Sequence, residues 1–227
     1  FDLNLDLVMT QEALHVRETS IIPDRPLIRG FDFGLRRAAC VWGQRSVAGH
    51  LIWLREWLAI ETPETAFIDG VIQRSQEWFG NRACLDFGDP AATQRDPEGV
   101  STLQRLAARK ITLQYRVTTY GERIPLINRR LSELINGQPA EVINPACKVL
   151  IEGLMGGYHY PELKQDAEFT PRKDVPYKDG WFEHVVNSWE YAHVNLLLQS
   201  SPAVTKFRQQ QRGRQQRLAH RRGTVSF

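Results

Sequence analysis

The chain has 227 residues, a formal net charge of +3, 42% hydrophobic and 24% charged residues, the balance of a globular protein of one large domain or one domain with appendages. No apolar run approaches the roughly 18 residues that a membrane helix requires. The cysteines Cys40, Cys84 and Cys147 are too scattered for a zinc knuckle and odd in number for a disulfide framework, so they read as buried thiols of a reducing compartment.

The chain begins FDLNLDLVMTQ, with neither an initiator Met nor a basic-then-apolar signal pattern, and reads as a fragment of a longer protein. Residues 1–26 are polar and irregular, are closed by Pro23 and Pro26, and are expected to be a linker entering the domain. Three strand-like runs follow, LIRGFDFG (27–34), RAACVWGQ (37–44) and HLIWLREWLAIE (50–61). Their short connections predict an antiparallel meander.

A helix is expected next, capped by Thr62, with Pro63 at its first position and Glu64 favouring the positive end of the dipole. Phe67, Ile68, Val71, Ile72 and Phe79 recur at helical spacing and form its buried face. A strand over 83–89, a turn-rich loop, a short helix near 101–109 and a strand over 111–117 come next. The pattern then predicts a helix over about 124–136, stopped at Asn136–Gly137, and a further helical stretch over 145–155. After a charged loop at 162–180, a helix from Trp181 carries His184, Asn187 and Tyr191 along one side, because spacings of three and four share a helical face. The expected domain is therefore α/β, a mixed central sheet with helices on both faces, spanning 27–199.

Beyond it, residues 200–227 carry Lys206, Arg208, Arg212, Arg214, Arg217, Arg221 and Arg222 with no acid, leaving residues 1–204 about four charges negative. Such a tail is either a solvated, disordered end or an electrostatic grip on nucleic acid or an acidic protein surface. No G-x-x-x-x-G-K-[ST] phosphate loop is present.

Two strand carboxylates stand out. Asp32 sits inside a strand, where Asp is disfavoured, and shares a face with Ile28, Gly30 and Gly34. The flanking glycines leave room for a ligand or another backbone. Asp32 is either the partner of Arg29 or Arg36, or a metal ligand. Asp89 ends a strand before Pro90, where it makes an Asx turn or belongs to a site at the strand end. Asp86, three residues earlier, points to the opposite sheet face. Carboxylates on two strands, approached by a polar helix, suit Mg²⁺ or Mn²⁺. Two such ions about 3.5–4 Å apart hydrolyse phosphodiesters.

The segments RGFDFGLRRAACVWGQ, GHLIWLREWL, CLDFGDPAA, INPACKVLIEGLMGGYHY and KDGWFEHVVNSWEYA, in this order, resemble the nuclease domain of the large terminase subunit of tailed bacteriophages. The resemblance implies an RNase H-like fold and an endonuclease that cuts concatemeric double-stranded DNA during genome packaging with two Mg²⁺ or Mn²⁺ ions. It implies that Asp32 and Asp89 are metal ligands. The family's last motif is similar to His-x-x-Asp-Ala-x-x-Tyr; His184 and Tyr191 match it, but Asn187 and Ser188 stand at the Asp and Ala positions. Asn187 keeps a carbonyl oxygen for a metal but supplies no charge, so cleavage is expected to be slow or to need high Mn²⁺. Asn187 is then an inactivating change, a variant compensated by Asp179, Glu183 or Glu190, or the mark of a retired nuclease that only holds DNA or the portal. His184 is either part of the site or a hydrogen-bonded structural group. Arg36, Arg37 and Lys178 are the candidate contacts to DNA phosphates.

By the same resemblance, the 1–26 linker would follow a missing packaging ATPase, the only place for ATP. The partners would be DNA, the portal protein and the small terminase subunit, with no membrane. The location would be the host cytoplasm, transiently at the procapsid portal. A different RNase H-like enzyme, a junction resolvase or transposase, is the remaining rival.

Overall fold

The computed structural model describes residues 15–34, 36–160 and 175–199; the basic tail and most of the 162–180 loop lie outside the described residues. The meander is present as β1 (Leu27–Asp32), β2 (Arg37–Arg45) and β3 (Leu51–Ile60), paired antiparallel. Beyond β1, β4 (Cys84–Gly88) and β5 (Leu113–Tyr115) add in parallel. The six-stranded order is β5-β4-β1-β2-β3-β8, where β8 (Glu141–Ile143) runs parallel to β3 at the far edge.

Side-chain alternation splits the core into two layers. On one face Leu27, Phe31, Cys40 and Trp42 pack under α1 (Glu64–Phe79) and α2 (Thr102–Ala107), meeting Phe67, Ile68, Val71 and Leu106. On the other, Ile28, Val41, Trp53 and Phe87 pack under α3 (Tyr120–Leu131), α4 (Lys148–Glu152) and α5 (Phe182–Gln199), meeting Ile127, Leu150, Val186 and Trp189. Helices thus cover both faces of a mixed sheet, as expected. No helix of the described residues is long and apolar enough to cross a membrane.

Several local expectations are corrected. Pro63, not Thr62, is the N-cap residue of α1, and the Thr62 hydroxyl donates to Ile60 O instead. The third helix starts earlier than 124 and stops at Leu131: Glu122 reaches back to accept the Thr119 N–H at 2.7 Å, one arm of a capping box. Asn136 and Gly137, both at positive φ, turn a small hairpin between β6 (Leu134–Ile135) and β7 (Gln138–Pro139) rather than stopping a helix. The strand at 141–143, absent from the pattern reading, follows directly. Cys84 is half-buried, while Cys40 and Cys147 are buried; all three are free thiols.

Of the entering segment, residues 1–14 lie outside the described residues, and 15–26 are irregular but fastened. Val16 bridges Ile143, His15 Nδ1 lies 2.9 Å from Glu141 O, and Gln44 exchanges hydrogen bonds with Ile22.

Candidate active site

Two sequence features place the site. Parallel pairing of β1 with β4 aligns Phe31 with Gly88, so the next residues, Asp32 and Asp89, leave adjacent strands at the same carboxyl-terminal end. Helix α5 then crosses β1 closely enough that a Cβ on Gly30 would lie 2.1 Å from Ser188 O. The room beside Asp32 is therefore filled by protein: Ser188 backbone at Gly30, and Arg37 O and the His184 ring at Gly34. That approach sets His184 and Asn187, one turn apart, over Asp32.

Asp32 is buried, and its Oδ2 lies 3.0 Å from His184 Nδ1. A carboxylate only accepts, so Nδ1 carries the proton of that bond. Burial pushes the Asp32 carboxyl up, and the Asp89 charge adds to it; the bond and charge of His184 and a bond from the Asn187 amide oppose them without cancelling them. His184 Nε2 lies 3.4 Å from Glu183 Oε1. Burial pulls the imidazole down, but the bond and charge of Asp32 and the charge of Glu183 outweigh it, so His184 is raised. Burial likewise raises Glu183, against the charges of His184 and exposed Lys178.

The remaining candidates sort cleanly. Asp32 pairs with neither Arg29 nor Arg36. Arg29 is buried on the opposite face, where its Nε meets Asp86 Oδ1 at 2.6 Å and its Nη1 donates to Ser75 Oγ, which also accepts from Trp42. Asp86 is thus a core ion-pair partner. Asp89 Oδ1 accepts the Ala91 N–H at 2.8 Å, an Asx turn that also orients the carboxylate at the strand end. Asp179 is committed elsewhere: its two oxygens accept the N–H groups of Trp181, Phe182 and Glu183, capping α5. Glu190 is fully buried with Arg123, 3.4 Å from its Nη1, and burial pushes its carboxyl up to about 7. Of the three possible compensating acids, Glu183 alone touches the His184–Asp32 pair.

Arg36 and Arg37 line a cleft of about 360 Å³ with Ile60, Glu61, Gly180 and His184. Tyr158, which the sequence reading passed over, is buried and donates from its hydroxyl to Asn187 Oδ1 at 3.2 Å. Arg123, also passed over, sits between the Tyr120 and Tyr191 rings at 4.4 and 5.1 Å. An Arg inside a helix reads as solvated, and only its burial gives it away.

Among the described residues, no group of three or more His, Cys, Asp or Glu side chains converges in a metal-binding arrangement. The donor set nevertheless suits a divalent ion. Asp32 and Asp89 offer hard carboxylate oxygens, and the upward push of burial and of the Asp89 charge on Asp32 is what a cation relieves. Asn187, beside them on α5, turns its Oδ1 to Tyr158.

No family model matches the chain, and no curated protein matches it. Solved structures do. The large terminase nuclease domain of phage P22 is similar over 82% of this chain and 90% of its own, at 14% identity and a TM-score of 0.56. The large terminase nuclease of thermophilic phage G20c is similar over 85% and 96%, at 16% identity and 0.53; it is also known with bound magnesium. The nuclease domain of bacteriophage SPP1, with bound Mn, is similar over 80% and 96%, at 16% identity and 0.50. At these identities the shared property is the fold, which is RNase H-like.

Proposed function

We propose that this chain is the nuclease domain of a phage large terminase subunit, a metal-dependent endonuclease that cuts concatemeric double-stranded DNA during packaging. The observation that carries the reading is the meeting of Asp32 and Asp89 at adjacent strand ends with His184 and Asn187 laid over Asp32 by α5. The bound Mn and Mg of similarly folded terminase nucleases support divalent metal use.

In this reading Asp32 and Asp89 hold Mg²⁺ or Mn²⁺, two ions in the full reaction, with Asn187 as the uncharged third ligand. When bound, such ions polarise the phosphodiester and lower the pKa of the attacking water. His184 Nδ1 fixes the Asp32 carboxylate, and its Nε2, facing Glu183, is placed to exchange a proton with solvent. Arg36, Arg37 and Lys178 contact backbone phosphates, which position DNA without reading its sequence. The portal and the small terminase subunit are the expected protein partners, in the host cytoplasm.

Because Asn187 brings no charge, activity should be weak and favoured by Mn²⁺. The test is plasmid cleavage in Mn²⁺ by this chain, Asp32→Ala and Asn187→Asp. Loss in the first variant and gain in the second are expected. Cleavage that survives Asp32→Ala overturns the site. If neither the chain nor Asn187→Asp cleaves while DNA binding persists, the domain is a retired nuclease acting as a DNA or portal module.

A further inference from the structure

Arg37 differs from the ion-paired arginines of this fold and is held as Arg74 is by Gly70 O and the Trp57 ring, but Arg74 lies on the opposite sheet face, whereas Arg37 shares a cleft with His184. Arg29, Arg105, Arg109, Arg123 and Arg130 are each neutralised by a carboxylate. Arg37 is half-buried and just as firmly held, but by uncharged partners. Its Nη1 donates to Gly180 O, and its guanidinium stacks 5.4 Å from the Trp181 ring. Among the described residues no acid forms an ion pair with it. Glu61 lines the same cleft, where its backbone N–H donates to Arg36 O.

The local sequence builds this holder. Asp179 caps α5 and so fixes the turn, and Gly180, at φ 71, takes a backbone conformation that other residues rarely adopt. Its carbonyl is thereby directed at Arg37, while Trp181 follows immediately and remains 37% exposed. A cation placed by a carbonyl and an indole keeps its whole charge for something else. The cleft it lines is shared with exposed Arg36 and with His184, which bonds Asp32.

We propose that Arg37 and Trp181 form a phosphodiester clamp beside the reaction site, gripping a backbone phosphate that flanks the scissile bond, with Trp181 as the positioning residue for Arg37. The clamp rests on the nuclease reading for its substrate but is tested through binding. Fluorescence anisotropy of a labelled duplex is measured without divalent metal across a salt series, for the unmodified chain, Arg37→Ala, Arg37→Lys, Trp181→Ala and Trp181→Phe, with melting curves to confirm folding.

Arg37→Ala should weaken binding and lower the slope of log affinity against log salt by about one. Arg37→Lys should keep the slope. Trp181→Ala should weaken binding several-fold, with Trp181→Phe recovering most of it, and in Mn²⁺-driven cleavage the loss should fall on KM rather than kcat. An unchanged salt slope in Arg37→Ala overturns the clamp, as does a Trp181→Phe variant no better than Trp181→Ala. Cleavage by Asp32→Ala, run alongside, separates the two ideas: its persistence sinks the nuclease reading while the salt slope still decides the clamp.

Discussion

The Tyr158 hydroxyl donates to Asn187 Oδ1 at 3.2 Å while the Asn187 amide bonds Asp32. Asn187 therefore lowers the Asp32 carboxyl as a neutral donor, doing without a metal part of what a cation does. Asn187→Asp fits the same space, since a carboxylate oxygen accepts the Tyr158 hydroxyl equally well. It also sets a third negative charge beside Asp32 and Asp89. Without metal the variant should be less stable by roughly 1–2 kcal/mol, the scale of a pKa unit or so. Added Mn²⁺ should raise its melting temperature more than that of the unmodified chain. Equal shifts would mean that residue 187 does not face the ion.

Tyr158→Phe removes the hydroxyl that bonds Asn187 and also Tyr120. It should cost about 1 kcal/mol in urea unfolding, the usual net worth of a part-buried hydrogen bond. The loss should shrink in an Asn187→Ala background, where only the Tyr120 bond of that hydroxyl is left; additive losses in the double variant would refute the coupling.

Asp86 and Asp89 lie three residues apart and should fail in opposite ways. Asp86→Ala leaves Arg29 buried without its partner and should lose about 3–5 kcal/mol of stability. Asp89→Ala removes a half-exposed carboxylate whose backbone bond is an Asx turn, so stability should fall by about 1 kcal/mol or less, while cleavage disappears. Unfolding curves and plasmid cleavage on the two variants separate core support from chemistry.

Gly30 is where fold and site are one matter. A methyl there would meet Ser188 O at 2.1 Å, so α5 must withdraw from β1, carrying His184 and Asn187 off Asp32. Gly30→Ala should cost about 1–3 kcal/mol or more and abolish cleavage even in the folded fraction. Gly121→Ala, in the exposed first turn of α3 with Thr119 Oγ1 nearest at 3.9 Å, should instead gain a few tenths, up to about 1 kcal/mol. Cleavage retained by folded Gly30→Ala would show that the helix approach does not set the site.

What the sequence made legible follows how local each signal is. The meander, α1 and α5 stand on long periodic runs, and alternation sets Asp86 on the face opposite Asp89, where it meets Arg29. Asn136–Gly137 reads as a helix stop because the same positive-φ pair ends helices and turns hairpins; the choice depends on whether Leu134 and Ile135 find a strand partner, a non-local fact. Strand β8 is three residues long and is recognisable only by its pairing with β3. In the site, Asp32, Asp89 and His184 were visible as misplaced polar residues. Tyr158 and Trp181 were not, because an aromatic residue beside a glycine turn reads as packing until its hydroxyl or ring is seen against Asn187 or Arg37. Asp179 reads in sequence as a candidate compensating acid, yet three backbone N–H groups hold it.

Glu56 gives the fold a pH dependence away from the site. From β3 its two oxygens accept the N–H groups of Val149 and Leu150 at 2.6 and 2.8 Å, capping α4 across a long sequence separation. Burial pushes its carboxyl up, those two bonds pull it down, the Glu152 charge adds to the rise, and the result is about 7 against 4.5 unperturbed. A carboxyl raised in the folded state binds its proton more tightly there than in the unfolded chain. Its contribution to stability is therefore complete below pH 4.5 and is lost as pH rises through about 7. Glu56→Gln holds the neutral form at every pH and keeps an oxygen for one N–H bond. Urea unfolding from pH 4.5 to 8 should show the unmodified chain losing stability relative to this variant as pH rises, with the difference levelling above pH 7. Parallel curves would mean that the Glu56 carboxylate is as well solvated in the fold as outside it.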